Sequence, residues 1–133
     1  MNFDRRAIAA PTRELASWVA AITYEDLPLA VAERLNSSGQ ELLTAIAAGY
    51  EVMIRSSLAL NPSAARLRGW HLTGVTGPFG AAAACSKLLK LNAEQTAWAL
   101  GLGGTQGAGL WAFNADGTMS KRLHPGKAAH SGV

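Results

Sequence analysis

The stretch ELLTAIAAGYEVMIRSSLAL, Glu41 to Leu60, constrains the fold most, because Leu42, Leu43, Ile46, Tyr50 and Met53 recur there with a helical period. Ser38, followed three residues later by Glu41, forms a capping-box pattern in front of it. Pro62 in "NPS" marks the end, since proline disfavours helical geometry in the residue before it. A helix of that length needs partners, and the sequence supplies them. In "PTRELASWVAAI", Leu15, Trp18, Val19 and Ile22 fall at i, i+3, i+4 and i+7, with Thr12 as N-cap. Pro28 suits the first turn of a second, short helix over "PLAVAERL" that stops at "NSSG".

Beyond Asn61 the pattern changes. "ARLRGWHLTGVTGPFG" carries glycines, a proline and β-branched residues in place of helical periodicity, and is expected to be an ordered loop. Pro78 is expected near the start of the next helix, "PFGAAAACSKLLKL", whose Lys87 and Lys90 suit the negative end of its dipole. Asn92 and Gln95 repeat the cap pattern before "AEQTAWALGLGGTQGAGLWAF". Each helical glycine in that run costs up to about 1 kcal/mol against alanine, so close backbone packing or a break beside a site must compensate. "NADGTMSKRL" reads as a polar turn, and a sixth helix is expected to begin at Pro125. No stretch alternates as a strand does. The expected class is all-α, a single domain over 1–133 of about five to six helices.

Composition excludes several functions. A net charge of +3, spread along the chain, is a weak footprint for nucleic-acid binding. No window reaches the roughly 18 apolar residues of a membrane span, and the start of the chain lacks an export signal, so a cytoplasmic protein is expected. Cys85, the single cysteine, lies in "AAAACSKLL", which favours a buried structural thiol over a reactive one. No histidine or cysteine spacing suits zinc, and "GLGGTQGAG" has neither the preceding strand nor the following G-K-[ST] of a phosphate loop. No cofactor is expected.

The densest basic segment is "SKRLHPGKAAHSG", with Lys121, Arg122, His124, Lys127 and His130. Sequence physics alone leaves two readings open: solvated charges after a turn, or one wall of an anion pocket. A helix beginning at Pro125 would aim unpaired N–H groups back at Lys121 to His124. His71, between Trp70 and Leu72, suits either a structural or a functional histidine, while Lys127 and His130 are expected to face solvent or a partner helix.

From Gly39 onward, over about 95 residues, the chain resembles the MmgE/PrpD family, whose members include 2-methylcitrate dehydratase, of propionate metabolism, and cis-aconitate decarboxylase. The matching stretches are "GQELLTAIAAGYEV", "RGWHLTGVTGPFGAAAACSKLLKLNAEQ", "ALGLGGTQGAGL" and "DGTMSKRLHPGKAAHSG". The resemblance implies a cofactor-independent lyase acting on a small di- or tricarboxylate, and a homodimer. It assigns His71 as an active-site histidine and Lys121 as a lysine that contacts substrate carboxylates, with Arg122 and His124 as further substrate-binding candidates. Leu72 stands where many relatives have proline. A long helical insert with an H-A-x-D-F-D-D motif, and the C-terminal lid domain of the family, have no counterpart here. The resemblance therefore implies part of an active site. The alternative is a catalytically inactive helical interaction or oligomerisation module, whose uncovered apolar faces pair with another chain.

Overall fold

A computed structural model describes residues 28–133; the helix expected over "PTRELASWVAAI" lies outside the described residues. Within them the chain forms seven helices: α1 (Pro28–Arg34), α2 (Gly39–Ala59), α3 (Pro62–Leu67), α4 (Leu72–Leu88), α5 (Ala93–Thr105), α6 (Phe113–Asp116) and α7 (Ser120–Gly132). The all-α expectation holds. Its only extended pairing among the described residues is the isolated antiparallel bridge Trp70 to Leu110.

Local chemistry sets several of the boundaries. Ser38 and Asn92 each accept from the third helical N–H while Glu41 and Gln95 reach back to the cap backbone, so both expected capping boxes form. α1 ends as Asn36 takes a positive φ of 49° and Ser37 N–H donates to the Ala32 carbonyl, which satisfies a carbonyl that the helix end leaves open.

Four expectations need correction. "ARLRGWHLTGVTGPFG" is not a loop: it contains α3, capped by Asn61, and the first turns of α4. Pro78 therefore sits inside α4, not at its start. Proline has no N–H to give the Gly74 carbonyl four residues back, and that carbonyl instead accepts from Ala108 N–H at 3.1 Å. Likewise α7 begins at Ser120 and encloses Pro125, so Lys121 to His124 are part of the helix and no helix start points at them. Finally, α2 is long and apolar enough by length and composition to cross a membrane, with a mean hydropathy of 1.2, because its Glu51 and Arg55 are few among many apolar residues.

α4 is the hub, packed by α2, α5 and α7. Its core positions are small: Ala82, Ala83, Ala84 and Cys85 are buried beside Leu88. Small residues let backbones approach. A Cβ on Gly103 would lie 3.1 Å from the Pro78 carbonyl oxygen, and one on Gly104 2.8 Å from the Phe79 ring, so these α5 glycines are explained by close packing on α4. Gly107 and Gly109 lie beyond the helix end, against the α4 start. Thr76, fully buried, bonds the Leu72 carbonyl at 3.0 Å and the Ser57 hydroxyl at 2.8 Å, joining α4 to α2.

Cys85 is 4% exposed, and burial pushes its thiol up to about 11. A disulfide reagent at neutral pH is expected to titrate no thiol in the native chain and one after unfolding. Rapid native labelling would contradict that burial.

Candidate functional site

Two short segments meet at the start of α4. His71 N–H donates to the Gly109 carbonyl at 3.0 Å and Trp111 N–H to the Gly69 carbonyl at 2.7 Å, which pins 69–71 against 109–111. Gly69, at φ 86°, supplies the left-handed turn that ends α3 and starts this crossing. His71 is the N-cap of α4 but makes no side-chain cap bond, so its ring is free to point elsewhere.

The ring points at α7. His71 Nδ1 and His124 Nδ1 lie 2.6 Å apart, although 53 residues separate them in sequence. At that distance one nitrogen donates and the other accepts, since two N–H groups facing each other would repel. The pair therefore holds a single proton between its facing nitrogens. Aromatic rings wall it in: Phe113 stands edge-on to His71 at 4.8 Å and to His124 at 5.6 Å, and Trp111 lies 5.4 Å from His71. Gly109 allows the close crossing, since a Cβ there would lie 3.1 Å from the Gly74 Cα and 3.3 Å from the His71 carbonyl oxygen.

Both histidines are held below their ordinary pKa. Burial is the main cause for His71, followed by the charges of His124 and Lys121; for His124 it is burial and then Lys127. At neutral pH the pair is thus mostly uncharged and ready to accept a proton. The unfolded chain binds these protons more readily than the folded one, so stability is full above the ordinary histidine pKa and is lost as pH falls through the lowered values. The melting temperature is expected to be lower at pH 5 than at pH 7.5. Much of that difference should vanish in a His71→Gln/His124→Gln double variant; an unchanged difference would contradict the pairing.

Lys121 and His124 are three apart on α7 and share a face, and the Lys121 ammonium is near enough to bias His71. Among the described residues neither Lys121 nor Arg122 has a carboxylate partner. Arg122 is exposed, is turned about 100° from Lys121 around the helix, and is not among the charges that bias either ring. The structure thus brings together His71, His124 and Lys121, and not Arg122. Lys127 donates to the Gln106 carbonyl at 2.8 Å, tying α7 to the C-terminal end of α5. Among the described residues no group of three or more His, Cys, Asp or Glu is placed to hold a metal ion.

Sequence reasoning missed Trp111, Phe113 and Arg66, whose guanidinium lies 4.6 Å over the Trp111 ring. The "WAF" spacing, which puts two large aromatics two residues apart straight after a glycine run, was the available signal for the first two. Nothing in the sequence points to Arg66.

The chain is also similar to known proteins. Over 96 residues, 72% of its length, the chain is 40% identical to the cis-aconitate decarboxylase-like protein oryM of Aspergillus oryzae and 35% identical to cis-aconitate decarboxylase of Aspergillus terreus. It spans only 20% and 19% of those proteins. No solved structure matches significantly. Residues 28–133 match the MmgE/PrpD N-terminal domain along their whole length, and the chain therefore belongs to the MmgE/PrpD family.

Proposed function

We propose that this chain supplies the histidine and lysine part of a lyase site that removes water or carbon dioxide from a small di- or tricarboxylate, such as cis-aconitate or 2-methylcitrate. The observation that carries the proposal is the contact between His71 and His124, uncharged at neutral pH and flanked by the ammonium of Lys121, which has no carboxylate partner among the described residues. Taking a proton from carbon beside a carboxylate, or losing carbon dioxide from it, leaves negative charge on the substrate. A fixed cation stabilises that charge, and Lys121 is placed to bind the carboxylate that shares it. The histidine pair accepts the proton, or returns one to carbon after decarboxylation. General acid–base help of this kind is worth roughly 10²- to 10⁴-fold in rate. The names of the relatives support cis-aconitate as the first substrate to try.

The test is turnover of cis-aconitate and of 2-methylcitrate by the purified chain, with His71→Ala as control. The expected result is product formation above that control, and equal rates would sink the proposal.

A second reading, a helical interaction module, is favoured by one observation. Leu43, Leu58, Trp98 and Leu102 are each more than 60% exposed, on α2 and α5. Apolar surface of that extent drives association. Sedimentation at rising concentration should then show self-association, and a strictly monomeric chain would argue against it.

A further inference from the structure

A neutral imidazole carries one N–H and one bare nitrogen. The Nδ1 atoms of His71 and His124, 2.6 Å apart, make the one side-chain hydrogen bond that either ring has among the described residues. That bond fixes more than the two nitrogens it joins. The ring that donates from Nδ1 has a bare Nε2, and the ring that accepts at Nδ1 must keep its hydrogen on Nε2. Whichever way the shared proton lies, one Nε2 is a base and the other an acid.

Both of those outer nitrogens can be reached. Among the described residues Ser86 Oγ is the one fully enclosed side-chain nitrogen or oxygen without a partner, so neither unpartnered Nε2 is sealed in. The inner nitrogens are held differently. Phe113, edge-on to both rings, and Trp111, tilted against His71, pack around the pair and offer the Nδ1 atoms no competing polar group.

We propose that the pair is a proton relay, in which a proton taken up at the bare Nε2 of one ring sends the shared Nδ1 proton across to the other ring, whose Nε2 then releases its own. The proposal rests on the lyase reading and adds that acid and base are two ends of one path. In loss of water, the proton leaving carbon binds the first Nε2, and the electron pair of the C–H bond becomes the new C=C bond. The Nδ1 proton crosses. The second Nε2 gives its proton to the hydroxyl, which leaves as water with the electrons of the C–O bond. Both rings end neutral with their tautomers exchanged, and exchange with solvent at the Nε2 atoms restores the starting state. In loss of carbon dioxide, the electrons of the broken C–C bond stay on carbon, which takes a proton from one Nε2 while solvent replaces it at the other. Neither course leaves a charged ring behind, which suits a pair that burial and nearby cations hold uncharged.

Nitrogen-15 NMR of the full chain, labelled in histidine, reads the tautomers without needing turnover. The expected result at neutral pH is complementarity: the fractions of His71 and His124 that carry hydrogen on Nε2 sum to one. Nε2–H forms in both rings would overturn the relay. In His124→Phe, His71 should revert to the tautomer mixture of free histidine, and an unchanged His71 pattern would overturn the relay as well. Kinetics adds a readout that a merely structural bond would not move. His71→Gln, His124→Gln and the double variant should all lose the same factor in turnover, roughly 10²-fold or more, because cutting either end closes the path. Losses that multiply in the double variant would mean two independent groups. Complementary tautomers in a chain without turnover would fail the lyase reading and uphold the coupled pair, and turnover with both rings in the Nε2–H form would do the reverse.

Discussion

Gly49→Leu is expected to lower the melting temperature by roughly 4–12 °C, because overpacking costs about 1–3 kcal/mol and a domain of this size loses roughly 4 °C per kcal/mol. Gly49 is where α2 crosses the hub helix. A Cβ there would lie 2.7 Å from the Gly80 carbonyl oxygen and 3.2 Å from the Ala84 Cβ. The nearer atom is backbone, so no side chain can swing away, and α2 must shift off α4. Gly101→Ala is the control. That glycine is exposed inside α5 with nothing within 4 Å of its would-be Cβ, and alanine there should stabilise by up to about 1 kcal/mol. Differential scanning calorimetry of both variants checks the pair of signs. A Gly49→Leu melt within a degree or two of the parent would mean that α2 is not seated as described.

The second large effect is on ligand binding. At about ten times the dissociation constant, a ligand that binds only the folded state adds about 1.4 kcal/mol, which raises the melting temperature by roughly 5 °C. cis-Aconitate is expected to produce such a rise in the parent chain. Lys121→Ala should lose it, since no other cation is shown to bias His71 except through the neighbouring imidazole. Arg122→Ala should keep it, because Arg122 lies about 100° around the helix from Lys121 and is not among the charges that bias either histidine. An equal rise in all three chains would place the ligand elsewhere.

What the sequence made legible follows a physical division. Both capping boxes are local, three residues across, and formed as expected at Ser38 and Asn92. The start of α4 was hidden because "LTGVTGPFG" has poor intrinsic helix propensity, and packing against α2, α5 and α7 holds it helical. Pro125 misled in the same way: proline suits a helix start, yet α7 begins five residues earlier and carries it inside. The capped ends could be read from neighbours in sequence, whereas these two could be read only from neighbours in space.

The candidate site divides similarly. His71 and Lys121 were assigned through family resemblance, and His124 through its place in the same motif. Their meeting was not legible, because it depends on the crossing of 69–71 with 109–111 and on α7 lying against α4. Arg122 shares the motif with Lys121 and would have been expected beside it. In the helix that runs through both they lie about 100° apart, and only Lys121 is among the charges that bias His71.

The most direct test is a cis-aconitate titration followed by proton NMR of the imidazole Cε1–H signals, of which the chain has three. The expected result is that the His71 and His124 signals move together and saturate at one ligand concentration, and that both movements are lost in Lys121→Ala. Movement of the His130 signal alone, or no movement at saturating ligand, would contradict a carboxylate site at the His71–His124 pair.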